Sequence, residues 1–182
     1  MKPTNSRHTT RDAFTLMELL VVMVIIAGVA SLIVPATDRV MQRARAASCM
    51  SNLRNLGTAL NLYLADHNYF MPTFVTARPD TGGNDAAIDN TFNAYTGSQD
   101  IFRCPADYKK LWQTTGTSYL WDSLLNGQNA TQLDFFGMVT SSSHIPVMSD
   151  KENFHKYQDV QVNILYADGH VAKEIQFTVN GK

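Results

Sequence analysis

The chain has 182 residues, with 15 Lys or Arg against 16 Asp or Glu and a formal net charge of −1. That length suits one domain of moderate size beside a short additional segment. Removing Met1–Ala13, which holds Lys2, Arg7, Arg11 and Asp12, leaves 12 basic and 15 acidic residues, a net of −3. Such a balance leaves no basic footprint for nucleic acid.

In chain order, residues 1–13 form a basic leader of charge +2, and Phe14 to Ala36 (FTLMELLVVMVIIAGVASLIVPA) follow with 23 residues and one charge, Glu18. As a helix that stretch covers about 34 Å, enough for a bilayer core. A buried core helix would need a polar side, and this run has none. A removable secretory signal would have a shorter apolar core followed by small residues at its cut. The pattern therefore predicts a retained membrane helix. The leader should stay cytoplasmic and the rest of the chain should cross, which predicts a single-pass membrane protein with its C-terminal domain in the periplasm.

Glu18 is the anomaly, because a carboxylate in a membrane span costs several kcal/mol without a partner. It can sit shallowly at the headgroups, near the positive end of the helix dipole. A cut between Ala13 and Phe14 offers a different partner. It creates an α-amine four residues before Glu18, and that amine can pair with Glu18 within one chain or between neighbours.

Beyond Pro35, which should kink the helix, the helical period continues to about Asp66. Val40, Ala44, Ala47, Met50, Leu53, Leu56, Leu60 and Leu64 make one apolar stripe. Ala27 and Ser31 have the spacing of small residues that permits close helix approach. Residues 67–100, rich in Asp, Asn, Thr and Gly, predict a loop with at most a short helical turn.

Residues 101–182 read as β-rich. Thr117–Trp121 and Ile145–Ser149 are strand candidates, and Val160–Ala167 and His170–Phe177 flank Asp168-Gly169, a two-residue type I′ hairpin composition. Trp112, Tyr119, Trp121, Phe135 and Phe136 read as core before they read as a sugar platform. The expected fold class is α+β: one long N-terminal helix, its membrane half over 14–36 and its amphipathic half over 37–66, packed on a small antiparallel sheet.

Cys49 and Cys104 would face an oxidising compartment if the leader stays cytoplasmic, and a disulfide is then expected. Two buried thiols and metal ligation are the alternatives, the latter without Cys-x-x-Cys or paired-histidine spacing. Histidines 144, 155 and 170 lie near Asp150, Asp159 and Asp168, and Ser141–Ser143 are close in sequence. No nucleophile-elbow motif frames a serine, and the reading is of a non-enzyme. Asp150 and Asp168 are candidate calcium ligands, and no other cofactor is expected.

Ala13-Phe14-Thr15-Leu16-Met17-Glu18 and the apolar run after it resemble the type IV prepilin signal of pilins and type II secretion pseudopilins. The resemblance implies a pilin-like fold, cleavage after Ala13 by prepilin peptidase and methylation of Phe14. It also implies assembly through Phe14, Glu18 and Pro35, with other pseudopilins and an inner-membrane assembly platform as partners, and a place in the bacterial inner membrane or on a surface filament. Ala13 departs from the family's usual glycine before the cut. Cys49-Met50-Ser51-Asn52-Leu53-Arg54, Phe102-Arg103-Cys104-Pro105 and Asn163–Val171 are similar to prepilin-like proteins of planctomycetes and verrucomicrobia. Those carry a histidine, nine residues, then Asp-Gly; here twelve residues separate His155 from Asp168. The resulting expectation is a structural subunit of a type II secretion pseudopilus or related filament. The alternative is a membrane-anchored periplasmic binding protein or hydrolase using a prepilin-like anchor.

Overall fold

The computed structural model describes residues 14–75, 78, 83–135, 141–155 and 162–173, with side chains for all of these except 32–36. The leader with Ala13, and also Phe136, Asp159 and the far end of the last predicted strand, lie outside the described residues. The chain forms two compact units, Met1–Val40 and Met41–Lys182. Helix α1, Leu16–Asp66, contributes to both.

In the first unit, α1 begins at a reciprocal cap. The Thr15 hydroxyl accepts from the Glu18 amide at 3.3 Å, and the Thr15 amide and hydroxyl donate to the Glu18 carboxylate at 2.9 and 2.8 Å. Thr-x-x-Glu ahead of an apolar run is the capping-box signature, which satisfies amides that the first turn leaves unpaired. The following side chains have no cover: Phe14 is 81% and Leu16 82% exposed, and exposure is still 53% at Val29. Pro35 falls among residues whose side chains are not described, and so does the expected kink.

The expected single-pass inner-membrane placement needs correction. Among the described residues, no helix is long and apolar enough to cross a membrane.

In the second unit, α1 packs on an antiparallel sheet. The buried helical positions include Ala46, Cys49, Leu53, Leu56, Leu60 and Leu64, a period of three and four that places them on one face, with Ala59 buried beside them. The lower half of the predicted stripe is correct. Its upper half is rotated, since Val40 is 64% exposed while Ala46 and Cys49 are buried. The helix ends as predicted. Asn68 takes φ 52° and Tyr69 φ 62°, and the Tyr69 amide reaches back to the Leu64 carbonyl at 2.8 Å. This is the six-to-one closure of a Schellman turn, with Asn in the left-handed position.

The fold is α+β with one four-stranded sheet in order β1-β2-β3-β4. The strands are β1 Tyr119–Trp121, β2 Pro146–Asp150, β3 Ile164–Tyr166 and β4 Val171–Ala172, each antiparallel to the next. Short helices α2 Ile88–Phe92 and α3 Leu111–Thr115 lie in the connections. Gly57 marks the close approach of α1 to the sheet, because a Cβ there would stand 3.1 Å from Leu165 Cδ1. Leu53, Leu56, Tyr119, Trp121, Val147 and Leu165 meet in the core, each apolar side chain contributing about 1.5–3 kcal/mol by leaving water. Trp121 is held in place from both sides. Its ring meets Phe74 edge-on at 5.0 Å, and its indole N–H donates to Asn126 Oδ1 at 2.8 Å.

The β3–β4 connection is not the predicted two-residue turn. Gly169 has φ 89°, while Asp168 is absent from the left-handed positions. The Gly169 amide donates to the Tyr166 carbonyl and the Tyr166 amide to the His170 carbonyl, both at 2.9 Å. Three residues, Ala167 to Gly169, therefore form the loop, a turn followed by a left-handed glycine. The Asp168 carboxylate accepts the His170 amide at 3.0 Å, which anchors the loop from within.

Candidate functional site

Two regions carry unusual chemistry. The first is the exposed start of α1. Phe14, Leu16, Met17, Leu19 and Leu20 are all more than half exposed, and the Glu18 carboxylate among them is engaged by Thr15 alone in the described contacts. Further along, the Ser31 hydroxyl donates to the Gly28 carbonyl at 2.7 Å, and a Cβ on Gly28 would meet nothing within 4 Å. Among the described residues of this unit, nothing crowds that position. The bare backbone is available to another surface.

The second region is a buried polar group beside the disulfide. Cys49 and Cys104 are joined, with Cα atoms 4.9 Å apart across a sequence separation of 55, and both are fully buried. Cys49 arrives on α1, and Cys104 follows a 3₁₀ turn over Gln99–Phe102. His155 is 1% exposed, and a ring nitrogen of it lies within 4.8 Å of both sulfurs. Asp150, at the end of β2, gathers its neighbours on Oδ2. The Asn163 amide donates to it at 2.8 Å, Asn163 Nδ2 at 2.9 Å, and His155 Nε2 lies at 3.1 Å. Asn163 Nδ2 also stands 2.7 Å from His155 Nε2. Among the described residues, His155 Nδ1, Asp150 Oδ1 and Asn163 Oδ1 are buried with no hydrogen-bond partner.

A polar cleft of ≈ 630 Å³ lies elsewhere on the second unit, lined by Arg78, Asp89, Asp100, Arg103 and Trp112 among others. Arg78 pairs with Asp89 there, and the Arg103 guanidinium stands 5.1 Å from the centre of the Trp112 ring. Gly116, at φ 80°, leaves the space that the Arg78–Asp89 pair fills. Nearby, Lys151 donates to Thr115 Oγ1 at 2.6 Å and to the Thr117 carbonyl at 2.8 Å. Burial pushes its ammonium down to about 8, against the pull of Asp89 and Asp107.

The sequence-predicted residues fall in separate places. Asp150 is in the buried group, whereas Asp168 is exposed in the β3–β4 loop and bonded to His170 at 2.5 Å. Among the described residues, they are not part of any shared cluster of ligating side chains. The serine–histidine–aspartate sets also separate. His144 meets Ser143 at 3.1 Å, His155 meets Asp150, and His170 meets Asp168. Tyr119 and Trp121 are core, as expected, while Trp112 is half-buried at the cleft. Two features escaped the sequence reading. The Thr15–Glu18 cap was visible as Thr-x-x-Glu, but the placement of His155 beside the cysteines had no local signal.

Comparison with known proteins returns no match to a family model, a curated protein or a solved structure.

Proposed function

We propose that this chain is a structural subunit of a filament built by bundling N-terminal helices, of the type IV pilin or type II secretion pseudopilin kind. The observation that carries the reading is the uncovered apolar start of α1, where Phe14, Leu16 and Met17 are 75–82% exposed. Contiguous apolar surface of that extent marks an interaction site, and copies of the same helix would bury it. The prepilin-like residues Phe14 to Glu18 favour the same reading, as does the open backbone at Gly28. In this proposal prepilin peptidase cuts after Ala13, and the Phe14 amine of one subunit meets Glu18 of another.

The test exploits the cap. Glu18→Gln keeps an oxygen that can accept from the Thr15 amide but removes the charge; Glu18→Ala removes both. If an amine–carboxylate pair sets the register, both variants are processed and both fail to polymerise, as read by sedimentation and electron microscopy. Normal filaments from Glu18→Gln would refute the charge pairing and leave Glu18 as a cap only. Mass spectrometry of the mature N-terminus tests the cut: residue 14 should be first and methylated, and an uncut Met1 would overturn the reading.

A further inference from the structure

We propose that the dithiol form of this chain, before Cys49 and Cys104 are joined, holds one divalent zinc-class cation through both cysteine sulfurs and His155 Nδ1. Three soft or borderline donors converge there, all buried, with the two sulfurs and a ring nitrogen of His155 within 4.8 Å of one another. The second observation is the orphan nitrogen. His155 Nε2 is occupied by Asp150 and Asn163, whereas Nδ1 has no partner among the described residues although the ring is 1% exposed. A buried ring nitrogen without a hydrogen bond forfeits about 1–3 kcal/mol. A cation would satisfy it.

The arrangement behind the ring also fits. Histidines that bind metal through one nitrogen commonly donate from the other to a carboxylate, which fixes the tautomer and raises ligand basicity. Asp150 Oδ2 stands 3.1 Å from His155 Nε2, with Asp150 itself buried and steadied by the Asn163 amide. With Nδ1 on the cation, the imidazole keeps its proton on Nε2 and donates it in a hydrogen bond to Asp150 Oδ2, and Asn163 Nδ2 gives up its contact with that nitrogen. Two thiolates and one imidazole leave the fourth tetrahedral position for water.

The chemistry balances simply. A dithiol or phosphine reductant delivers two electrons, two protons enter, and the disulfide becomes two thiols. Binding then releases two protons as the thiols become thiolates around M²⁺. Oxidation reverses this, forming the sulfur–sulfur bond and expelling the cation. The cysteine pair would thus have two closed states, metal-bound and disulfide, and the first would hold Cys104 beside α1 until an oxidant arrives.

The test uses the full chain in mild detergent, reduced with a phosphine under anaerobic conditions and titrated with Co²⁺. One equivalent should produce the near-ultraviolet thiolate charge-transfer band and the visible bands of tetrahedral cobalt, and Zn²⁺ should displace it. The oxidised chain should show neither. Asp150→Asn should weaken binding roughly 10–100-fold, as loss of an outer-shell partner does, and His155→Ala should weaken it further. Circular dichroism of each variant with its disulfide intact establishes that it folds. Should the reduced chain unfold, ellipticity followed in the same titration must recover at one equivalent. No band and no recovery would overturn the proposal, and so would an affinity unchanged by His155→Ala, which would reduce the site to two thiolates. The outcome does not depend on filament assembly.

Discussion

Replacing both cysteines by alanine tests how much the Cys49–Cys104 link contributes to the second unit. The bond closes 55 residues, and in the chain-entropy treatment that loop stabilises the folded state by about 4 kcal/mol through restriction of the unfolded chain. The unit from Met41 to Lys182 has an unfolding entropy on the order of 0.3 kcal/mol/K by residue scaling, so the melting temperature should fall by roughly 14 °C. Both sulfurs lie in fully buried positions, and the small voids left by alanine add to the loss. The assay is thermal unfolding of full-length wild type and Cys49→Ala/Cys104→Ala, followed by circular dichroism in detergent with EDTA present. Urea unfolding of the same pair adds a separate reading, because freeing the unfolded chain exposes more surface and should raise the m-value. A melting temperature within about 3 °C of wild type, with an unchanged m-value, would refute the reasoning. The loop would then be held closed in the unfolded state by something other than the bond.

Two further outcomes follow from packing and titration. Gly57→Leu should destabilise by about 1–3 kcal/mol through overpacking against Leu165, whereas Gly57→Ala should be near neutral because gained helix propensity offsets the crowding. Equal melting temperatures for the two variants would mean that α1 does not sit on β3 as closely as described. Lys151 should make stability rise with pH. Its folded value of about 8 lies below its ordinary 10.5, so above pH 8 the unfolded chain binds the extra proton and the slope is positive up to about 10.5. Below pH 8 the penalty for a half-buried ammonium is fully present. The rise should flatten in Lys151→Gln, and identical pH profiles for the two proteins would remove Lys151 from the account.

What the sequence made legible follows from where the information was local. The end of α1 at Asp66 was readable because Asp-His-Asn breaks the period and supplies a left-handed residue, and Asn68 takes that conformation. The positions of β1 and β2 were readable from β-prone runs, with Pro146 at the start of its strand. The upper half of the buried stripe was misread because alanine and cysteine hide a core face that Val40 and Met50 seem to offer more strongly. The β3–β4 loop was misread because Asp-Gly fits two turn geometries, and the hydrogen bonds of Asp168 with His170 select the longer one. The polar group around His155 was out of reach for a different reason. Its members come from α1, a 3₁₀ turn, β2 and the approach to β3, and no spacing along the chain announces that they meet.

The two units differ in a way that bears on what the chain is for. The second has a core of its own, in which Tyr119 is fully buried and Trp121 is 2% exposed, although Tyr69, Phe70 and Tyr108 stay at its surface. In the first, the apolar side chains from Phe14 to Val29 remain open. That surface is also prepared for burial at its one charge. The Glu18 carboxylate already accepts two hydrogen bonds from Thr15, so the cost of removing it from water is lower than for a free carboxylate. An incoming amine would complete a pairing that the cap has already begun. A neighbouring helix placed along Gly28 and Ser31 would approach without meeting a side chain at the glycine. Capped acid, open glycine and uncovered apolar side chains lie along one helix, and the filament proposed above would bring a second copy of that helix to all three.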